Sequence, residues 1–142
     1  MKRLSALLVV VFLLVGCSPK ITSSEYEHQF IDSNGVEQKV LVDITLNNGK
    51  ISEISIDETY LTKDSKVTTK KTLKDDYGMS KTTDVGEWYE QIAHLEKELI
   101  GTNGKLSLDD KGYPTDTDIT SGCTIKLTEI QKAINEAIQN AK

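Results

Sequence analysis

The 142-residue sequence is poor in the residues that usually announce chemistry: two Cys, two His, one Trp and two Pro. Two cysteines exclude a small disulfide-stapled scaffold. Two prolines and the lack of any low-complexity tract argue against a disordered chain. There is no basic excess. Lys plus Arg number 17 against 22 Asp plus Glu, a net charge of −5, so no nucleic-acid partner is expected, since that would need a basic face. No run of 18 or more apolar residues occurs, which removes an ordinary membrane-spanning helix. His-x-x-x-His, Cys-x-x-Cys and Gly-x-Ser-x-Gly are all missing, and with them the common zinc, redox and nucleophile-elbow signatures. Asp109, Asp110, Asp116 and Asp118 invite a calcium loop. Counted from Asp116, however, Ser121 stands where an EF-hand needs Gly and Leu127 where it needs Glu. No metal site is expected.

The N-terminus carries the clearest signal. Met1-Lys2-Arg3 is a positive n-region, and Leu4 to Val15 is an apolar stretch broken only by Ser5. It is too short to span a bilayer and suits a secretory signal peptide. Leu14-Val15-Gly16-Cys17 follows and resembles the lipobox of bacterial lipoproteins. Small residues before the cut admit the peptidase, and the Cys17 thiol accepts the lipid. Residues 1–16 are therefore read as the signal peptide and 17–25 as the lipidated Cys and a polar spacer. Residues 26–142 are read as one domain, held at the extracytoplasmic face of the cell membrane. Loss of Lys2 and Arg3 leaves 15 bases against 22 acids, a net charge of −7. If Cys17 carries lipid, Cys123 has no partner within the chain for a disulfide.

Patterning places strands first and helices later. Tyr26, His28 and Phe30 alternate, and Asp32 to Gly35 reads as a turn. Val40, Val42, Ile44 and Leu46 alternate up to Asn47-Asn48-Gly49-Lys50, an Asn-Gly hairpin turn, with a partner strand through Thr59. Lys63 to Lys74 reads as a basic, solvated connection. Trp88, Ile92, Leu95 and Leu99 share one helical face, with Thr83-Asp84 and Glu87 as the expected capping box and Gly101 as the stop. Leu106 to Leu108 suggests a short strand, and Asp109 to Thr120 a turn-rich loop. Thr128 and Gln131 suggest a second capping box, opening a helix with its apolar stripe on Leu127, Ile130, Ile134, Ala137, Ile138 and Ala141. The expected fold class is α+β: an antiparallel sheet covered on one face by two amphipathic helices. His94 falls beside the apolar stripe and reads as a surface histidine.

One segment stands out: Asp118-Ile119-Thr120-Ser121-Gly122-Cys123-Thr124. It joins a carboxylate, hydroxyls and a glycine just ahead of a helix, whose N-terminus favours an anion. On composition alone an ordinary loop-to-helix turn is the better account of it. Yet Asp118-x-x-Ser121-Gly122-Cys123-Thr124 resembles the Asp-x-x-Ser/Thr-Gly-Ala-Thr motif of the FMN-binding domain family. The preceding Asn-Gly-Lys turn, Asp76-Tyr77-Gly78-Met79, and Glu87-Trp88-Tyr89-Glu90-Gln91 resemble the same family's small lipoproteins. The resemblance covers roughly residues 26–142 and departs from the motif at Cys123, where Ala is usual. It implies that Thr124 is joined through a phosphoester to FMN by a separate flavin transferase. Asp118, Ser121, Gly122 and Cys123 would surround the attachment point, and a membrane redox donor would supply electrons. The available wall for the flavin ring is Tyr77, Met79, Trp88, Tyr89 and Tyr113; Trp88 reads as the head of the helix core stripe, and Tyr77 and Tyr113, both in loops, are the expected choice. Such a protein is an electron carrier rather than a stand-alone enzyme. The alternative is a lipid-anchored binding or interaction module that keeps the fold and carries no flavin.

Overall fold

The computed structural model describes residues 18–142; the signal-peptide and Cys17 assignments lie outside the described residues. Strand β1 runs Ile21–Ile31, β2 Glu37–Asn47, β3 Lys50–Leu61 and β4 Val67–Thr69. They form one antiparallel sheet in the order β1-β2-β3-β4. Four helices accompany it: α1 Lys70–Leu73, α2 Trp88–Leu99, α3 Thr117–Thr120 and α4 Thr128–Asn140. Among the described residues no helix is long and apolar enough to cross a membrane.

Alternation fixes the buried face of the sheet. Val40, Val42, Ile44 and Leu46 of β2 point inward, because successive strand side chains leave opposite faces. Ile51 and Ile56 of β3, an odd five residues apart, join them on that face because the register shifts by one residue after Ile51. Trp88, Ile92, Leu95 and Leu99 of α2 and Ile130, Ala133, Ile134 and Ala137 of α4 close over them. Asn48 (φ 51°) and Gly49 (φ 79°) join β2 to β3, a left-handed pair that Asn and Gly tolerate best. At the far end of β1, the Asp32 carboxylate accepts the amides of Asn34 and Val36. It lies below its ordinary pKa, chiefly through the Val36 amide.

Several local expectations need correction. The first folded element starts at Ile21 rather than near Tyr26, so the polar segment 17–25 is not all spacer. Ile21 to Ser24 pair with Asn47 to Ile44, and the Ser24 hydroxyl donates to the Ala137 carbonyl at 2.6 Å. Lys63 to Lys74 is not a bare solvated connection, since it supplies β4 and α1. Lys70 and Lys71 reach back to Glu58 and Glu96. Helix α2 is capped by Glu87, not Asp84, and the Glu90 carboxylate accepts the Glu87 amide at 2.8 Å. Leu106 to Leu108 contributes only an isolated bridge, Leu108 to Pro114. The Thr128–Gln131 box does not form. Leu127 is the N-cap of α4, and Gln131 instead accepts the Leu106 amide at 2.6 Å and donates to the Gly104 carbonyl at 3.0 Å. The unpaired backbone of the 104–106 loop is the stronger competitor for that side chain.

Candidate functional site

The motif segment wraps over α2. Asp116 caps α3 by accepting the Asp118 amide, and the chain then turns through Ser121 and Gly122. Ser121 donates its hydroxyl to the Asp118 carbonyl at 2.7 Å. His94 Nε2 lies 2.8 Å from the same carbonyl. A carbonyl only accepts, so that nitrogen carries the proton. His94 is thus half-buried against the motif rather than a free surface histidine. Gly122 is required sterically: an added Cβ would run into the His94 ring, with Nδ1 only 2.6 Å away.

Cys123 and Thr124 divide between inside and outside. Cys123 is 0 % exposed and belongs to the core. Burial pushes its thiol up to about 11, so it packs as a small apolar group and is a poor nucleophile. Thr124 is exposed. Its amide donates to Gln91 Oε1 at 3.0 Å, and its hydroxyl lies 3.5 Å from that oxygen. Helix α4 begins four residues later at Thr128, and Glu129 already occupies its first turn. Thr124 is therefore not at the helix N-terminus itself.

Beside this segment lies a cleft of about 370 Å³. Phe30, Met79, Trp88, Ile125 and Ile130 give it an apolar wall, and Asp32, Glu58, Lys70, Lys126 and Glu129 bring charge. Six separate parts of the chain meet there: the end of β1, β3, α1, the loop before α2, the first residue of α2, and the approach to α4 with its first turn. Lys70 Nζ pairs with Glu58 at 2.6 Å, both side chains 13 % exposed. It also sits 5.0 Å from the centre of the Tyr77 ring and 5.3 Å from that of Trp88, within cation–π range. Glu129 accepts from Lys132 and lies 2.7 Å from His28 Nε2. Burial would raise the Glu129 pKa, but the hydrogen bonds from His28 and Lys132 hold it below the ordinary value.

The loop before α2 is pinned from within. Glu87 is 3 % exposed. Its carboxylate accepts the Met79 amide at 2.8 Å, the Ser80 amide at 3.0 Å and the Ser80 hydroxyl at 2.6 Å. The Ser80 hydroxyl is the largest reason that its pKa lies below the ordinary range. These bonds fix Met79 against the cleft.

Asp118, Ser121, Gly122, Cys123 and Thr124 come together as one turn. The two tyrosines do not join them as expected. Tyr113 is 44 % exposed in a turn held by Asp109 and is not among the residues lining the cleft. Tyr77 packs edge-on against Tyr60 and backs Lys70 rather than forming the wall. Trp88, Met79 and Phe30 form it instead. Gln91, Lys70 and Glu87 are the residues that sequence reasoning missed. Two of them left a signal: Glu87 stood in the expected capping box of α2, and Gln91 falls on the Trp88–Leu99 face, at a position the helical period assigns to the core.

Comparison of the chain with protein-family models, curated proteins and solved structures finds no match. Among the described residues no group of three or more His, Cys, Asp or Glu is placed to hold a metal ion.

Proposed function

We propose that this chain is a lipid-anchored, extracytoplasmic flavoprotein that relays electrons through FMN joined to Thr124. The observation that supports the reading is the place of Thr124 in the chain: the residue is exposed, and its neighbour Ile125 lines the cleft, whose lining does not include Thr124 itself. At about 370 Å³ the cleft lies at the small end of ligand sites, and its wall of Trp88, Met79, Phe30 and Ile130 suits a flat aromatic ring. Lys70 is engaged by Glu58, which leaves Lys126 as the lysine of the cleft that could meet an anionic group. These features support the cofactor that the motif implies.

Bound there, FMN would supply the electron-carrying chemistry. The chain's own part is to hold, orient and shield. Trp88 and Met79 exclude water from one side of the cleft, and Glu87 keeps Met79 in place. Attachment balances as a phosphoryl transfer. A bond forms between Thr124 Oγ1 and phosphorus, and the hydroxyl proton departs. A phosphoanhydride bond breaks in the flavin adenine dinucleotide donor held by a transferase, and AMP leaves with the electron pair of that bond. A covalent link keeps the cofactor at high local concentration, where a dissociated one would be lost outside the cell. Cys17 supplies the membrane tether and a membrane redox protein the electrons.

The test is co-expression of the full chain with a flavin transferase, followed by mass measurement of the mature protein. The expected product is yellow, keeps a fluorescent band on a denaturing gel, and carries the mass of FMN less water on the peptide that holds Thr124. Thr124→Ala removes that mass. A colourless, unmodified protein from the same cells would refute the flavin reading and favour the anchored interaction module.

A further inference from the structure

We infer that Gln91 is the residue that positions Thr124 for modification, with the contact between His94 and Gly122 setting how closely the acceptor loop sits on α2; this rests on Thr124 being the acceptor. Gln91 and His94 stand three residues apart on α2, so they share one face of the helix. Both reach the same loop. His94 holds its start through the Asp118 carbonyl at 2.8 Å, and Gln91 holds its end through the Thr124 amide at 3.0 Å.

Gln91 is 0 % exposed, and its amide has one workable orientation. Nε2 donates to the Gly86 carbonyl at 3.0 Å and lies 3.5 Å from Met79 Sδ; both partners only accept. Oε1 faces the Thr124 amide, which only donates. A flipped amide would set donor against donor and acceptor against acceptor, leaving buried groups unsatisfied. The carbonyl oxygen of Gln91 is thereby fixed under Thr124, 3.5 Å from its hydroxyl. That oxygen can take the hydroxyl proton as a hydrogen bond and cannot give one. That bond uses the hydroxyl proton and not the lone pairs of Oγ1, one of which must attack phosphorus.

The spacing depends on Gly122. A side chain there would push the loop off the His94 ring, and with it Thr124 off Gln91. Gln91 also joins the acceptor to the cleft, because its amide touches Met79 of the cleft wall. It is a positioning residue, since the reacting oxygen belongs to Thr124.

The experiment measures initial rates of FMN mass gain on the full chain, with purified transferase and flavin dinucleotide. Each variant is assayed at a temperature where circular dichroism shows it folded. Gln91→Met, similar in length and without an acceptor, is expected to lower turnover about five- to tenfold, the worth of one hydrogen bond. KM for the chain should stay near the wild-type value. Gly122→Ala is expected to lower the rate similarly. Adding His94→Ala to it should bring the rate back to within about twofold of His94→Ala alone, as a double-mutant cycle requires of two groups in contact. A purely structural role would not give that rescue. Folded Gln91→Met modified at the wild-type rate, or no rescue of Gly122→Ala, would overturn the inference; if Gln91→Met does not fold, the Gly122–His94 cycle decides alone. If the wild-type chain gains no mass, or Thr124→Ala still gains it, the Thr124 reading itself falls and takes this one with it.

Discussion

Gly101 and Gly104 form a natural pair for weighing backbone strain against packing. Both adopt φ 78°, so alanine meets the same left-handed penalty at each, about 1–2 kcal/mol. The stiffer unfolded chain gives back about 0.4–1 kcal/mol at both positions. Their surroundings differ. A Cβ at Gly101 meets nothing within 4 Å. At Gly104 it would come within 2.5 Å of Ile138 Cδ1, 2.9 Å of Ile134 Cγ2 and 3.3 Å of Ile51 Cδ1. Ile138 is half-buried and can swing its terminal methyl aside. Ile134 is fully buried on α4, and a β-branched side chain in a helix keeps essentially one rotamer. Overpacking of that kind costs about 1–3 kcal/mol. Gly101→Ala should therefore lose about 1 kcal/mol and Gly104→Ala about 2–4 kcal/mol. For a domain of this size, about 4 °C of melting temperature corresponds to each kcal/mol. Thermal unfolding followed by circular dichroism, with urea titration to confirm equal m-values, measures both. Equal losses at the two sites would refute the packing argument and leave backbone conformation as the whole effect.

Three further outcomes are expected. The folded-state pKa of Glu87 lies below the ordinary value of 4.5, so its contribution to stability is complete above that value and is lost as pH falls through the lowered one. Glu87→Gln should be less stable at neutral pH and show a shallower acid limb in a stability-against-pH curve; an unchanged limb would count against the assignment. Cys123 should resist a thiol reagent at pH 8 in folded Cys17→Ser protein and react fully once unfolded, because burial removes access and holds the thiol near 11; rapid labelling of the native state would contradict this. Lys70→Met should cost about 3 kcal/mol in urea unfolding by stranding Glu58, and Lys70→Met with Glu58→Leu should recover most of it; a single variant as stable as wild type would show that the pair contributes little.

What the sequence disclosed follows from periodicity. The β2 alternation and the α2 and α4 stripes report burial directly, since one side of a regular element must be apolar. The Asp118–Thr124 segment was legible as a unit because its residues are contiguous. Other features depend on partners distant in sequence. Glu87 displaced Asp84 as the α2 cap because its carboxylate also collects the amides of Met79 and Ser80. Gln131 left its expected capping role for the backbone of the 104–106 loop. Strand β4 is three residues long, too short for any alternation to register. The cleft draws on six separated segments, so no local pattern could select Trp88 and Met79 over Tyr77 and Tyr113. Gln91 came nearest to being found, as a polar residue written into an apolar stripe.

The early start of β1 has a consequence for reach. If Cys17 bears the lipid, only residues 18–20 separate the acyl chains from the sheet, a leash of roughly 14 Å even when taut. The strand then climbs for 11 residues, about 35 Å at the usual rise. The mouth of the cleft lies at its far end, beside Phe30 to Ser33. A tether this brief leaves the domain little freedom to tumble. With the strand standing upright, it would hold the cleft end of the sheet some tens of ångströms above the lipid headgroups, facing outward to whatever diffuses past.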